Sequence, residues 1–402
     1  MPTIVIAGGG IAGLATALST ARHGHRVTVL ERCDTFSELG AGIQLAPNAF
    51  HALDRLGVAG GVRRRAVYVD ELRFMDGTTG ERVAAMPLDE RYRRRFRNPY
   101  AVVHRTDLYQ PLLDACRDAD LVDLHTDSSV IGYEQDGRRV AALLDDGRRF
   151  SGDVLVGADG IRSAVRRQLL GDGEPKVSGH TIYRSVIPME TVPDELRWNA
   201  VALWAGPRWH FVHYPVSGGR CLNMAATRDD AARSAVVGEP VDQTRVLEEF
   251  TELAPPARKL LELGRGWRTW VLCDRDPVDR WVDGRVALIG DAAHPMLQYA
   301  AQGACIALED AVSLGALLGD LTGDVPRRLE TFNEVRGERA GAAQIVAREM
   351  GRRLYHPAGP AAKDRNAMLS SLSVPDLYAK VEWLHGFTVP AEAHSEKWRQ
   401  AG

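Results

Sequence analysis

The sequence predicts an α/β chain: a Rossmann-like domain with a parallel sheet, an inserted, mainly antiparallel β-sheet, and helices at the C-terminal end. Three observations carry that reading. A short apolar run enters Gly8-Gly9-Gly10-Ile11-Ala12-Gly13 near the N-terminus. Two further apolar strand-to-loop passages follow at 153–160 and 285–295. Between them lie aromatic-rich segments separated by glycine and proline pairs.

At 402 residues the chain suits two or three units sharing a core. Charged residues at 26% and hydrophobic ones at 45% are those of an ordinary soluble protein, and a formal charge of -3 gives no sign of a nucleic-acid partner. The basic clusters Arg63-Arg64-Arg65 and Arg91 to Arg97 read as solvated faces, with a patch steering an anionic ligand as the alternative. Cys33, Cys116, Cys221, Cys273 and Cys305 are odd in number and lack metal-ligand spacing. Neither a disulfide framework nor a metal site is predicted, and a reducing, cytoplasmic setting fits. The first apolar run ends too soon for a removable leader, and no run of about 18 apolar residues predicts a membrane span.

Thr3 to Ala7 is rich in β-branched residues and reads as a strand buried on both faces. The glycines after it have assigned tasks. Gly8 permits the tight turn, Gly10 lets backbone approach a pyrophosphate, and Gly13 lets the next helix lie close to the strand. That helix would turn N–H groups and a positive dipole end toward the phosphates. Leu14, Ala17, Leu18 and Ala21 recur at helical spacing, and Gly24 stops the helix. Val27 to Leu30 is the second strand, with Glu31 at its end. A carboxylate there accepts hydrogen bonds from an adenosine ribose and repels a 2′-phosphate. Ala12 and Arg32 complete the predicted nucleotide contacts. These residues alone do not separate FAD from NAD.

The passage Asp153 to Gly160 reads as another buried strand and turn, with Ser163 and Arg166 opening a helix. Arg285 to Pro295 is a third strand and loop, and Gly303 precedes an apolar helical stretch from Ala304 to Leu314. In this order and separation, over roughly residues 3 to 350, the three segments resemble the flavoprotein aromatic hydroxylases typified by para-hydroxybenzoate hydroxylase. The resemblance implies one bound FAD. It places Asp159 near the pyrophosphate, Asp291 on the ribityl chain and Arg105 against the flavin. Gly303 and Ala304 would open a helix whose N–H groups face the reduced ring. Pro295 would border the reactive edge of the flavin, beside the substrate.

Residues from about 176 to 275 alternate like strands, as in Trp209-His210-Phe211-Val212-His213-Tyr214. Alternation puts His210, Val212 and Tyr214 on one face and Trp209, Phe211 and His213 on the other, so only one histidine faces a cavity. Periodicity does not say which. The chain is similar to the 3-hydroxybenzoate 6-hydroxylases of the family, and that resemblance selects His210, with Tyr214 beside the substrate. Gln298, in Pro295-Met296-Leu297-Gln298-Tyr299, follows the same pattern and would bond the substrate's phenolic oxygen.

The resemblance thus implies FAD as bound cofactor, NADH as transient reductant, and a small aromatic acid and O2 as substrates. A flavin C4a-hydroperoxide would transfer oxygen to a phenol deprotonated by His210, whose ordinary pKa of about 6.5 suits a base at neutral pH. Conversion of 3-hydroxybenzoate to 2,5-dihydroxybenzoate is the leading expectation. Decarboxylating hydroxylation of salicylate and hydroxylation of a larger phenol are alternatives. A homodimer is implied as well. The predicted FAD-binding domain takes 1–72, 98–175 and 276–324, and the substrate sheet 73–97 and 176–275. The C-terminal helical segment takes 325–402, with a long amphipathic helix from Val325 to Arg353 marked by Leu329, Phe332, Val335, Ala342, Ile345 and Val346. Leu377, Trp383, Leu384 and Phe387 are expected to lie against the body.

Overall fold

The computed structural model describes residues 1–37, 40–319, 321 and 323–390. Its central sheet has six strands in the order Val282–Asp283, Val286–Leu288, Val154–Gly157, Thr3–Ala7, Arg26–Leu30 and Val122–His125. All neighbours are parallel except the first pair, a hairpin. Ile4, Ile6, Val27, Val29, Val154 and Val156 have no exposed surface, as parallel strands covered on both faces require. The strands that feed the three sequence passages lie side by side, so their C-terminal loops emerge at one edge. That edge is where open α/β sheets bind ligands.

Two glycines make the first crossover possible. Gly8 sits at φ +103°, and a Cβ there would lie 2.4 Å from the Ala158 carbonyl oxygen. A Cβ on Gly13 would lie 2.0 Å from the Gly8 carbonyl oxygen. The helix Ile11–Ala21 therefore lies directly on its strand, with Leu14, Ala17 and Leu18 buried.

The second sheet has eight strands, ordered Val237–Pro240, Arg268–Asp274, Lys176–Pro188, Cys221–Asp229, Trp209–Val216, Ala200–Gly206, Glu71–Asp76 and Arg82–Pro87. Every pairing is antiparallel except that of Ala200–Gly206 with Glu71–Asp76. Its outer face buries Tyr183, Trp204, Trp209, Phe211 and Met224 against Val246, Leu260 and Leu261 of the helices Gln243–Glu249 and Pro255–Leu263 and against Phe250, which ends the first of them. Full burial of side chains this large contributes about 1.5–3 kcal/mol each. The inner face looks toward the ends of the parallel strands, and Gly42 N–H donates to Asn223 Oδ1 at 2.8 Å across the gap.

The long C-terminal helix runs Val325–Met350, shorter than the sequence predicts, and Gly351–Tyr355 continues as one wider π turn. A side chain at Gly351 would strike the Tyr299 ring, with Cβ 2.7 Å from Cε2. The helix reaches close contact there and then swings away. Its inward stripe also differs from expectation: Ile345 is 53% exposed and Val346 is half-buried, while Ala340, Ala343, Gln344 and Ala347 are buried. Two arginines set that rotation. Arg336 and Arg339 are buried and bind Glu309, at 2.7 and 2.8 Å, and Arg336 also binds Asp310 at 2.9 Å. Those two acids belong to the helix Gly303–Leu318. The helices Gly359–Ser371 and Val374–His385 follow. Leu384 is buried and Phe387 covers the Arg339 guanidinium at 4.0 Å, whereas Trp383 stays 38% exposed. The remainder of the predicted C-terminal segment, 391–402, lies outside the described residues. All five cysteines are free. Among the described residues no helix is long and apolar enough to cross a membrane, and no cluster of His, Cys, Asp or Glu could hold a metal ion.

Candidate active site

One cavity of about 1110 Å³ lies between the two sheets. This exceeds the ~300–1,000 Å³ of ordinary small-ligand sites and leaves room for two ligands together. Gly8, Gly10, Ala12, Glu31 and Arg32 border it, as do Arg105, Asp159, Asp291, Gly303 and Ala304, and so do His210, Tyr214 and Gln298. Gly13 does not border it and serves the close contact of helix and strand. Pro295 is buried behind the wall, where its carbonyl accepts from Gln344 Nε2 at 2.9 Å. Its neighbours Met296 and Leu297 form the border instead.

The nucleotide part has the donor set a dinucleotide with an anionic pyrophosphate requires. The helices Ile11–Ala21 and Gly303–Leu318 both start without a side-chain cap, and both first turns border the cavity. Their unpaired N–H groups and dipole ends favour negative charge. Glu31 is held at its strand end by Gly9 N–H, at 2.8 Å, and Cys33 N–H, at 3.0 Å. The Asp159 carboxylate accepts from Ser163 Oγ at 2.5 Å and Ala164 N–H at 2.8 Å, so it shapes the loop into the helix Ala164–Leu170. Burial raises its carboxyl above the usual range despite those bonds. Asp291 stands exposed to the cavity on a 3-10 turn. Asp310 holds that turn through Gly290 N–H, at 3.2 Å, and His294 Nε2, at 2.5 Å. Burial alone would raise the Asp310 carboxyl, but His294 and Arg336 hold it at about 2. The residues present thus fit FAD.

The roof is set by strand register. Arg184, Ala225, Val212, Leu203 and Phe74 form one row across five strands and all border the cavity. Thr227 and His210 belong to the next row. Alternation resolves the two histidines. His210 borders the cavity, while His213 points outward against Trp198 and Trp204. Burial, with Arg73 nearby, lowers His213 to about 3, and it serves as a neutral core residue.

His210 Nδ1 lies 2.9 Å from Nε2 of His356, and the rings of Tyr299 and Tyr355 lie edge-on to it. Its pKa is not the ordinary one assumed from sequence. Burial first, then His356 and His180, holds it well below 6.5, so the ring is neutral at physiological pH. The Gln298 amide is already engaged: Oε1 accepts from Arg184 at 2.9 Å and Nε2 donates to Thr227 Oγ1 at 3.1 Å. One N–H remains for a ligand. Tyr214 borders the cavity, and burial pushes its phenol pKa up, so it stays protonated.

Sequence reasoning missed two groups, one on the cavity wall and one behind it. Arg184 borders the cavity with its guanidinium 5.4 Å from the Trp270 ring centre, and among the described residues no carboxylate pairs with it. Strand alternation through Ile182 and Val186 could have found it. His356 carries no local signal, because it reaches His210 only through the π turn.

A family model described as an FAD binding domain matches residues 1–348. The chain belongs to the FAD-dependent aromatic hydroxylases. It is 47% identical to 3-hydroxybenzoate 6-hydroxylase 1 of Aquipseudomonas alcaligenes, over 95% of this chain and 97% of that one. It is 42% identical to the 3-hydroxybenzoate 6-hydroxylase of Klebsiella oxytoca, over 95% and 96% of the two chains. Among solved structures it is similar to a salicylate hydroxylase substrate complex, with a TM-score of 0.83 and 26% identity over 98% of this chain and 97% of that one. Klebsiella pneumoniae HpxO complexed with FAD and uric acid shares the fold, with a TM-score of 0.82 and 24% identity over 94% and 95% of the two chains. The protein is an FAD-dependent aromatic monooxygenase, and FAD is its cofactor.

Proposed function

We propose that the protein hydroxylates 3-hydroxybenzoate para to its hydroxyl, consuming NADH and O2 and giving 2,5-dihydroxybenzoate and water. One observation carries the substrate class. A neutral imidazole and a guanidinium that meets no carboxylate among the described residues face the same cavity from adjacent rows of the roof. His210 lies two strands and two residues from Arg184 in register, which puts their Cα atoms about 12 Å apart. With both side chains standing off the sheet into the cavity, the space between their tips admits a single benzoate ring. Arg184 takes the carboxylate as a charge-assisted pair. His210 Nε2 takes the phenol proton, and the free N–H of Gln298 donates to the phenolate oxygen. Deprotonation enriches the ring ortho and para to that oxygen, and the clamp on the carboxylate selects which carbon is presented. FAD, once reduced by NADH, supplies the oxygen-activating chemistry. The names of the two relatives support the same substrate.

The likeness to salicylate hydroxylase keeps a second reading, decarboxylating hydroxylation of salicylate to catechol. The deciding experiment is NADH consumption with each acid, followed by product identification. 2,5-Dihydroxybenzoate formed from 3-hydroxybenzoate in step with NADH supports the proposal. Catechol from salicylate, with no turnover of 3-hydroxybenzoate, overturns it.

A further inference from the structure

We infer that His356 is a proton relay behind His210, so that the two imidazoles carry the substrate's proton from the cavity to the surface beside Asp229. The inference rests on the reading of His210 as the base. His210 is only 1% exposed, so a proton that it takes from the phenol has to be passed on by a neighbouring group. An imidazolium left there would be a buried charge with no carboxylate beside it among the described residues.

The geometry supplies a path. His210 faces the cavity with one edge and meets His356 Nε2 with Nδ1 at 2.9 Å. Each neutral ring holds one N–H, so the bond has a direction. If His210 donates, its Nε2 is left as the acceptor a base requires, and the His356 proton sits on Nδ1. His356 is 9% exposed and sits where the π turn returns the chain to the roof, with its N–H on Gly351 O at 3.1 Å and its carbonyl accepting from Arg208 N–H at 3.0 Å. Its surroundings are polar on the outward side. Asp229 and Arg208 form a partly exposed pair at 3.2 Å, and His180 lies at a 5.0 Å ring separation with its own Nδ1 2.6 Å from the Tyr299 hydroxyl. The titratable and charged groups around His356 are thus His210, His180, Asp229, Arg208 and Tyr299, with Asp230 and Asp274 acting on His180. Tyr355 closes the inner side with its hydroxyl on Tyr299 O at 2.8 Å. Burial, and next the charge of His180, lowers His356 to about 4 although Asp229 works the other way. Both rings therefore rest neutral, as a relay requires.

The step balances. The phenol O–H breaks and its proton goes to His210 Nε2. The His210 Nδ1 proton passes to His356 Nε2, and the His356 Nδ1 proton leaves to water. A phenolate and one solvent proton result, with both rings neutral and their tautomers exchanged.

The test uses the FAD-loaded enzyme with 3-hydroxybenzoate and the variants His356→Gln, His356→Leu and His210→Asn. Proton release on binding is followed with a pH indicator, and coupled hydroxylation is followed across pH. Gln keeps an acceptor for His210 Nδ1–H but cannot carry a proton onward. Both His356 variants should bind FAD and still slow proton release and hydroxylation by about tenfold or more at neutral pH, at the low end of what proton-transfer groups contribute. The loss should shrink as pH rises and, in His356→Leu, on addition of free imidazole. A His356→Gln enzyme with wild-type rates and pH profile overturns the relay and leaves His356 a positioning residue. Should His356→Leu fail to hold FAD, His356→Gln decides alone. Coupled hydroxylation that survives in His210→Asn overturns the base itself, a failure distinct from that of the relay.

Discussion

Arg184 offers the sharpest test of the proposed substrate class. Its guanidinium borders the cavity, makes one side-chain hydrogen bond, to Gln298 at 2.9 Å, and meets no carboxylate among the described residues. Burial lowers its pKa by penalising the charged form, and an incoming anion would offset that penalty. Arg184→Met keeps much of the stem and removes the charge. A charge-assisted pair contributes about 1.5–3 kcal/mol, and stranding one buried partner costs about 3–5 kcal/mol. Taking about 2–4 kcal/mol for a site that keeps some water, the Kd for 3-hydroxybenzoate should rise about thirtyfold to a thousandfold. The assay is titration of the flavin absorbance with 3-hydroxybenzoate and, in parallel, with 3-hydroxybenzyl alcohol, which lacks the carboxylate. The alcohol should bind wild type and variant alike. Equal weakening of both ligands, or a change in acid affinity below threefold, would refute carboxylate recognition by Arg184.

Other outcomes follow from the same geometry. His210→Ala should retain FAD and lose coupled hydroxylation by about a hundredfold or more, with NADH oxidation diverted to hydrogen peroxide, read by product and peroxide yields. Gly8→Ala places a Cβ 2.4 Å from the Ala158 carbonyl at a φ of +103° and should purify depleted of flavin, seen as a loss of the yellow absorbance. Stability should fall on mild acidification. His213 and His385 are lowered to about 3, chiefly by burial, so between about pH 6.5 and 3 the unfolded chain binds more protons than the native one. Each then removes up to about 1.4 kcal/mol per pH unit as pH falls through that window. Denaturant midpoints that stay level from pH 7 to 5 would contradict this. Phe211→Ala empties part of the outer roof core and should cost about 3–5 kcal/mol in chemical denaturation, without altering the residues that border the cavity.

The sequence by itself determined the nucleotide-binding motif and the alternation of the roof strands, which depend on local period and spacing. The glycines at 8, 10 and 13 with Glu31 mark the nucleotide fold, because a crossover that tight excludes a Cβ and a ribose needs a carboxylate at the strand end. Strand alternation separated His210 from His213 without placing either. The π turn decided more than periodicity could: it ended the long α-helix at Met350 and carried His356 to His210 across 146 residues of chain, while the ion pairs of Arg336 and Arg339 turned Ile345 outward. Register between distant strands brought Arg184 into the same cavity as His210 and tied Gln298 to both rows. The pKa of His210 also belongs to the tertiary structure alone. An imidazole's ordinary value holds in water, and only packing removes the water and supplies the second ring. Local propensity is written residue by residue, whereas desolvation and long-range pairing exist only once the chain has closed on itself.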